Sequence, residues 1–132
     1  SALPPREAWD AWLEEHGEKD WTRRRIEDVR ALEEAGSEVL LADGDVANIE
    51  RMREIVALAR ERFGAIHGVF HTAGTMEDGV IPMKSPEAVE RVFTPKVHGT
   101  LVLDELFGES DLEFMVLFSS TSANHVLEPM AQ

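Results

Sequence analysis

Ile66-His67-Gly68-Val69-Phe70-His71-Thr72-Ala73-Gly74 is the stretch on which the fold turns. Its first six residues run without the strict apolar–polar alternation of a half-exposed strand, and it closes on small and polar residues. That pattern predicts a buried strand delivering a tight turn. Two further runs have the same design. Glu38-Val39-Leu40-Leu41-Ala42 ends in Asp43-Gly44-Asp45-Val46, and Glu113 to Phe118 ends in Ser119-Ser120-Thr121-Ser122.

Helical patterns separate the three runs. Asn48 is placed to cap a helix whose apolar positions Ile49, Met52, Val56, Ala59 and Phe63 recur at near-helical spacing, with Gly64 as its stop. Ser85-Pro86-Glu87 combines a cap, a first-turn proline and an early acid, so a second helix starts there. Its stripe continues through Val89, Val92, Phe93, Val97, Leu101 and Leu106, with a kink expected at Pro95. Strand, helix, strand, helix, strand predicts an α/β fold with a parallel sheet covered on both faces. Ligands gather at the carboxyl ends of such strands. Here those ends carry Asp43 and Asp45, then Thr72-Ala73-Gly74, then Ser119-Ser120.

Residues 1–37 differ in character. They are polar and highly charged, and Trp9 and Trp12 share one helical face as packing anchors. A further helix is expected from about Trp21 to Ala35, with Ile26, Val29 and Leu32 on one stripe and Gly36 as its stop.

Bulk properties narrow the function classes. The 132 residues suffice for one core, and a hydrophobic fraction of 43% argues against whole-chain disorder. The formal net charge of −13 repels phosphate backbones, which disfavours nucleic-acid and anionic-membrane binding. No cysteine is available for disulfides or thiolate metal sites. The run from Phe114 to Phe118 is too short to span a bilayer, and Ser1-Ala2-Leu3-Pro4-Pro5 lacks the features of a signal peptide, so a cytoplasmic protein is expected. His67 and His71 lie about 13 Å apart along an extended strand, too far to ligate one metal, and are expected in the core or in solvent. No metal site is expected.

Each strand-end signal taken singly has an ordinary structural explanation: a turn aspartate, a tight Ala-Gly turn, a serine pair capping a helix, a solvated lysine. Their order and spacing raise them above that. Residues 66–74 resemble the segment of short-chain dehydrogenases and reductases in which a strand presents Ala-Gly to the nucleotide. Thr94-Pro95-Lys96-Val97-His98-Gly99-Thr100 resembles the Pro-Lys-Val-x-Gly element of ketoreductase domains of modular type I polyketide synthases. Leu117-Phe118-Ser119-Ser120-Thr121-Ser122 is similar to their Leu-Phe-Ser-Ser element, at the family's distance from the lysine. Ser1-Ala2-Leu3-Pro4-Pro5 also resembles sequence that follows the family's second strand.

This resemblance implies a partial Rossmann-like doubly wound parallel sheet of about three strands with flanking helices. Residues 1–132 would form a single partial domain, an internal fragment lacking the first two strands and the end of the domain. Residues 1–37 would be a charged helical insertion after the missing second strand, and residues 38–132 the central βαβαβ portion. It further implies hydride transfer from NADPH to a β-ketoacyl thioester carried by the phosphopantetheine arm of an acyl carrier protein, with the rest of the synthase as partner. Asp45 and Val46 would sit by the adenine, and Ala73 and Gly74 along the ribose and nicotinamide side. Ser120, rather than Ser119, would hydrogen-bond the substrate carbonyl. Lys96 would supply the active-site ammonium, favouring the ionised form of the family's proton-donating tyrosine.

Two parts of that machinery have no counterpart. The sequence has no tyrosine, and it has no glycine-rich turn to cradle a pyrophosphate. The isolated chain is therefore expected to be inactive and to bind NADPH weakly or not at all. Thr75-Met76-Glu77-Asp78 stands where one ketoreductase class carries Leu-Asp-Asp, and His125-Val126-Leu127 stands where the other carries a tryptophan, so the lean is to the Leu-Asp-Asp class.

Two other readings compete. A receiver-type phospho-acceptor domain would need a lysine after the Ser/Thr strand, whereas Lys96 precedes Ser120 and no lysine or arginine follows. A non-catalytic, self-associating piece is the stronger competitor. In the strand order 3-2-1-4-5-6 the first two strands lie between the third and fourth, so their absence leaves exposed edges, and the chain would rearrange its sheet or pair with a copy.

Overall fold

The computed structural model describes residues 3–75, 81–110 and 112–119. The chain divides at Asp43/Gly44 into two compact units.

In the first unit, helix α1 (Trp9–Glu15) and helix α2 (Trp21–Glu34) pack through Trp9, Ile26 and Val29, with Leu3, Trp12, Leu13 and Val39 around them. Trp9 is buried, its indole N–H donates to the Pro4 carbonyl at 2.8 Å, and the Arg6 guanidinium lies 4.9 Å from its ring centre. Asp20 caps α2 by accepting from the Arg23 N–H at 2.6 Å and also accepts from the Trp12 indole at 3.1 Å. Those bonds, the Arg23 one foremost, hold its carboxyl below the usual aspartate range. Gly36 closes α2 at φ 91°, where a side chain would be strained, with Ser37 N–H on the Leu32 carbonyl and Gly36 N–H on that of Glu33. Leu32 departs from expectation: it is 52% exposed and lies off the buried stripe.

The second unit holds the sheet. Helix α3 (Ile49–Phe63) starts at the expected Asn48 cap and stops at Gly64, φ 83°. Strand β1 (Gly68–His71) pairs in parallel with strand β2 (Phe114–Leu117), in the register Gly68 to Phe114 and His71 to Leu117. Between the strands run helix α4 (Pro86–Phe93), a π turn (Thr94–His98) and helix α5 (Gly99–Phe107). Ser85 caps α4, accepting from the Ala88 N–H. Val56 of α3 and Leu103 and Phe107 of α5 form the core with Val69 and Met115 of the sheet.

The partial Rossmann-like class holds, with differences in extent. Residues 38–42 lie outside the sheet, which among the described residues has two strands instead of three. A run of apolar residues signals burial, but a strand also needs a neighbour to bond, and Val39 is used instead against Trp9, Ile26 and Val29. Among the described residues, one face of the sheet is also left largely uncovered. Phe70, Phe114 and Phe118 are 62%, 43% and 56% exposed, and their rings form one cluster, with Phe70 to Phe114 centroids 5.2 Å apart. Gly68 belongs to this arrangement, because a Cβ there would fall 2.1 Å from the Phe114 ring.

The kink expected at Pro95 is a π turn within one continuing helical path. Pro95 has no N–H for the Arg91 carbonyl four residues back. That carbonyl accepts instead from the Thr75 hydroxyl at 2.9 Å.

Candidate functional site

Strand β1 and the π turn meet at the carboxyl end of the sheet. A cleft of about 330 Å³ opens there, lined by His71, Ala73, Lys96, Thr100, Leu117, Phe118 and Ser119. Residues from all three chemically suggestive segments thus share one wall-to-wall space: the turn after β1, the lysine helix and the serine end of β2. Lys96 is exposed and reaches back over the turn, its Nζ lying 3.4 Å from where a Gly74 Cβ would stand. Val46 lies against the same helical path, with its Cγ1 2.7 Å from the position of a Gly99 Cβ, so helix and loop are in close contact there.

Asp45 has a structural duty. Its Oδ1 accepts from the Ala47 N–H at 2.9 Å and its carbonyl from the Asn48 N–H at 2.9 Å, forming the turn that leads into α3. It is nonetheless exposed, and it borders a second cleft, of about 400 Å³, with Thr75, Glu90, Arg91, Thr94 and Pro95. Of the expected site residues, Lys96, Ala73 and Gly74 come together, while Asp45 and Val46 sit on the loop that enters α3. Ser120 lies outside the described residues, as do Met76-Glu77-Asp78 and His125-Val126-Leu127; its neighbour Ser119 lines the first cleft.

His71 was expected only as a core or solvated residue. It is buried, at 7% exposure, yet lines the cleft, and its Nε2 lies 3.0 Å from the Pro95 carbonyl. The available sequence signal was its place as the last residue of the strand, directly before the Thr72-Ala73-Gly74 turn.

Comparison with known proteins bears on the family and the fold. The model of the KR domain family matches residues 13–130. The chain belongs to that family. Among curated relatives of this KR segment, the polyketide synthase PksM of Bacillus subtilis (strain 168) is 37% identical over 107 residues, which is 81% of this chain and 2% of PksM. The polyketide synthase GfsE of Streptomyces halstedii is 42% identical over 96 residues, 71% of this chain and 2% of that protein. A 6-methylsalicylic acid synthase of Penicillium expansum is 32% identical over 120 residues, 90% of this chain and 6% of the synthase. The KR segment therefore spans only a few per cent of these relatives. Among solved structures, an N-terminal ketoreductase from the macrolactin assembly line superposes with a TM-score of 0.71 at 34% identity, over 81% of this chain and 22% of that one. The expectation of a polyketide synthase ketoreductase segment with a partial Rossmann-like fold is met.

Proposed function

We propose that this chain is the central part of a polyketide synthase ketoreductase that converts a β-ketoacyl thioester on an acyl carrier protein to the β-hydroxyacyl form with NADPH. The observation that carries this is the approach of Lys96 to Gly74 beside Ala73, in a cleft that also holds Ser119 at the end of β2. The residues present fit part of the cofactor. Ala73 lines the cleft beside Lys96 and Gly74 lies next to its ammonium, and exposed Asp45 with Val46 would take the adenine end. The pyrophosphate has no glycine-rich turn to receive it in this sequence.

When bound, NADPH would supply a hydride to the β-carbon of the thioester. Lys96 would hold positive charge beside the ribose and beside the group that donates the proton. Ser120 would direct a hydroxyl at the substrate carbonyl and so orient it. The proton donor is not among these residues, since the sequence contains no tyrosine. The isolated chain is on this reading inert, and the acyl carrier protein and the remainder of the synthase are its partners, in the cytoplasm. Among the described residues no helix is long and apolar enough to cross a membrane.

The test is NADPH oxidation on a β-ketoacyl thioester by the full polypeptide that contains this segment. Lys96→Ala and Ser120→Ala should each lower kcat by about 100-fold or more. Calorimetric titration of the isolated chain with NADPH should give weak binding or none. Micromolar binding would mean that the nucleotide lies elsewhere than on Asp45, Val46, Ala73 and Gly74. The open aromatic face of the sheet favours a second reading of the isolated chain, a self-associating piece, and that reading predicts copies pairing through this face.

A further inference from the structure

We propose that His71 is a positioning residue for Lys96, acting through the carbonyl of Pro95. The inference rests on the reading of Lys96 as the active-site ammonium. In an α-helix the Pro95 carbonyl would receive the Gly99 N–H, four residues on. Here the Gly99 N–H bonds to the Thr94 carbonyl, five residues back. The Pro95 carbonyl turns to the sheet instead, where the buried imidazole of His71 meets it at 3.0 Å.

A carbonyl oxygen only accepts, so it is His71 Nε2 that donates the proton of this bond. The next carbonyl along, that of Lys96, is met in turn by the Thr100 hydroxyl at 2.5 Å. The ring lies beside Gly99, with Cε1 at ordinary contact distance, 3.5 Å, from where a Cβ there would stand. Two successive carbonyls of the π turn are therefore taken by side chains, one of them anchored in β1. Lys96 follows Pro95 directly, so a bond that fixes the Pro95 peptide fixes the direction in which the lysine leaves the helix. That direction is toward Gly74, three residues beyond His71 on the same strand-to-turn segment. One short stretch thus holds both the helix and the surface over which its ammonium lies.

NMR on the chain itself tests this without any turnover. At about pH 8, above the ordinary titration of histidine, the long-range nitrogen spectrum should show His71 as the Nε2–H tautomer. A cross-relaxation peak should join the Lys96 ε-methylene to the Gly74 α-protons. In folded His71→Phe that peak should vanish. In His71→Gln, whose amide N–H can reach the same carbonyl, it should return. An Nδ1–H tautomer in the unsubstituted chain would overturn the proposal, even if both variants failed to fold. So would a retained peak in folded His71→Phe, which would reduce His71 to a packing role, or a lost peak in folded His71→Gln. None of these readouts depends on ketoreduction, so failure of the functional reading, seen in the NADPH oxidation assay, is separable from failure of this one.

Discussion

The Thr75 hydroxyl donates at 2.9 Å to the Arg91 carbonyl, the group that Pro95 deprives of its helical partner. A residue just past β1 thus repairs the helix that carries Lys96. Thr75→Val keeps the shape and removes the donor. It should lower the urea unfolding free energy of the chain by about 0.5–1.5 kcal/mol, the ordinary net value of one such bond. Thr75→Ser should restore most of it.

Gly99→Ala should destabilise, although alanine is normally the better helix former by about 1 kcal/mol. The added Cβ would stand 2.7 Å from Val46 Cγ1, and one of the two must move. A loss of about 1–3 kcal/mol is expected from overpacking. Denaturant unfolding of Gly99→Ala, Val46→Ala and the double variant checks it, because the second substitution should relieve the first and the pair should not be additive.

Asp20 makes the first unit sensitive to acid. Its folded-state carboxyl is held below the ordinary value by the Arg23 N–H, then by the Trp12 indole. A depressed carboxylate contributes stability that is present above the unfolded pKa and is lost as pH falls through the folded one. The contribution should thus be level from neutrality to about pH 4, the ordinary aspartate value, and decline below it. Urea midpoints measured against pH should show a shallower acid decline in Asp20→Asn than in the unsubstituted chain. Equal declines would mean that Asp20 is not the titrating group.

The aromatic face should govern association. Phe70 is 62% exposed and in contact with the rings of Phe114 and Phe118. Sedimentation of the isolated chain should show concentration-dependent self-association, and Phe70→Lys should shift it toward monomer with little change in helical content.

Much of the fold was legible because its signals are local. Asn48 and Ser85 cap the helices they were expected to cap, Gly36 and Gly64 end theirs at positive φ, and both strands lie within the runs expected of them. What was not legible depends on neighbours. Val39 and Leu41 carry strand-like apolarity whether or not a second strand stands beside them, so residues 38–42 gave a strand signal where no ladder forms. Pro95 announced a break but not its kind; a π turn depends on which side chains can reach the freed carbonyls, and Thr75 and His71 are distant in sequence. The family resemblance gave Lys96 and Gly74 separate roles, and their approach was not foreseen, since spacing alone does not specify how a lysine leaves its helix.

The ring of Phe114 over Gly68 also sets the two halves of the cleft against each other. Sliding β2 by one residue would instead set Phe114 opposite Val69, which has a side chain where Gly68 has none. It would also turn each β2 side chain to the opposite face. The serine end of the sheet would move by about 3.3 Å relative to Ala73 and Gly74. A glycine far from any chemistry, at the start of β1, therefore acts as the zero mark of a ruler whose other end measures the span between hydroxyl and ammonium.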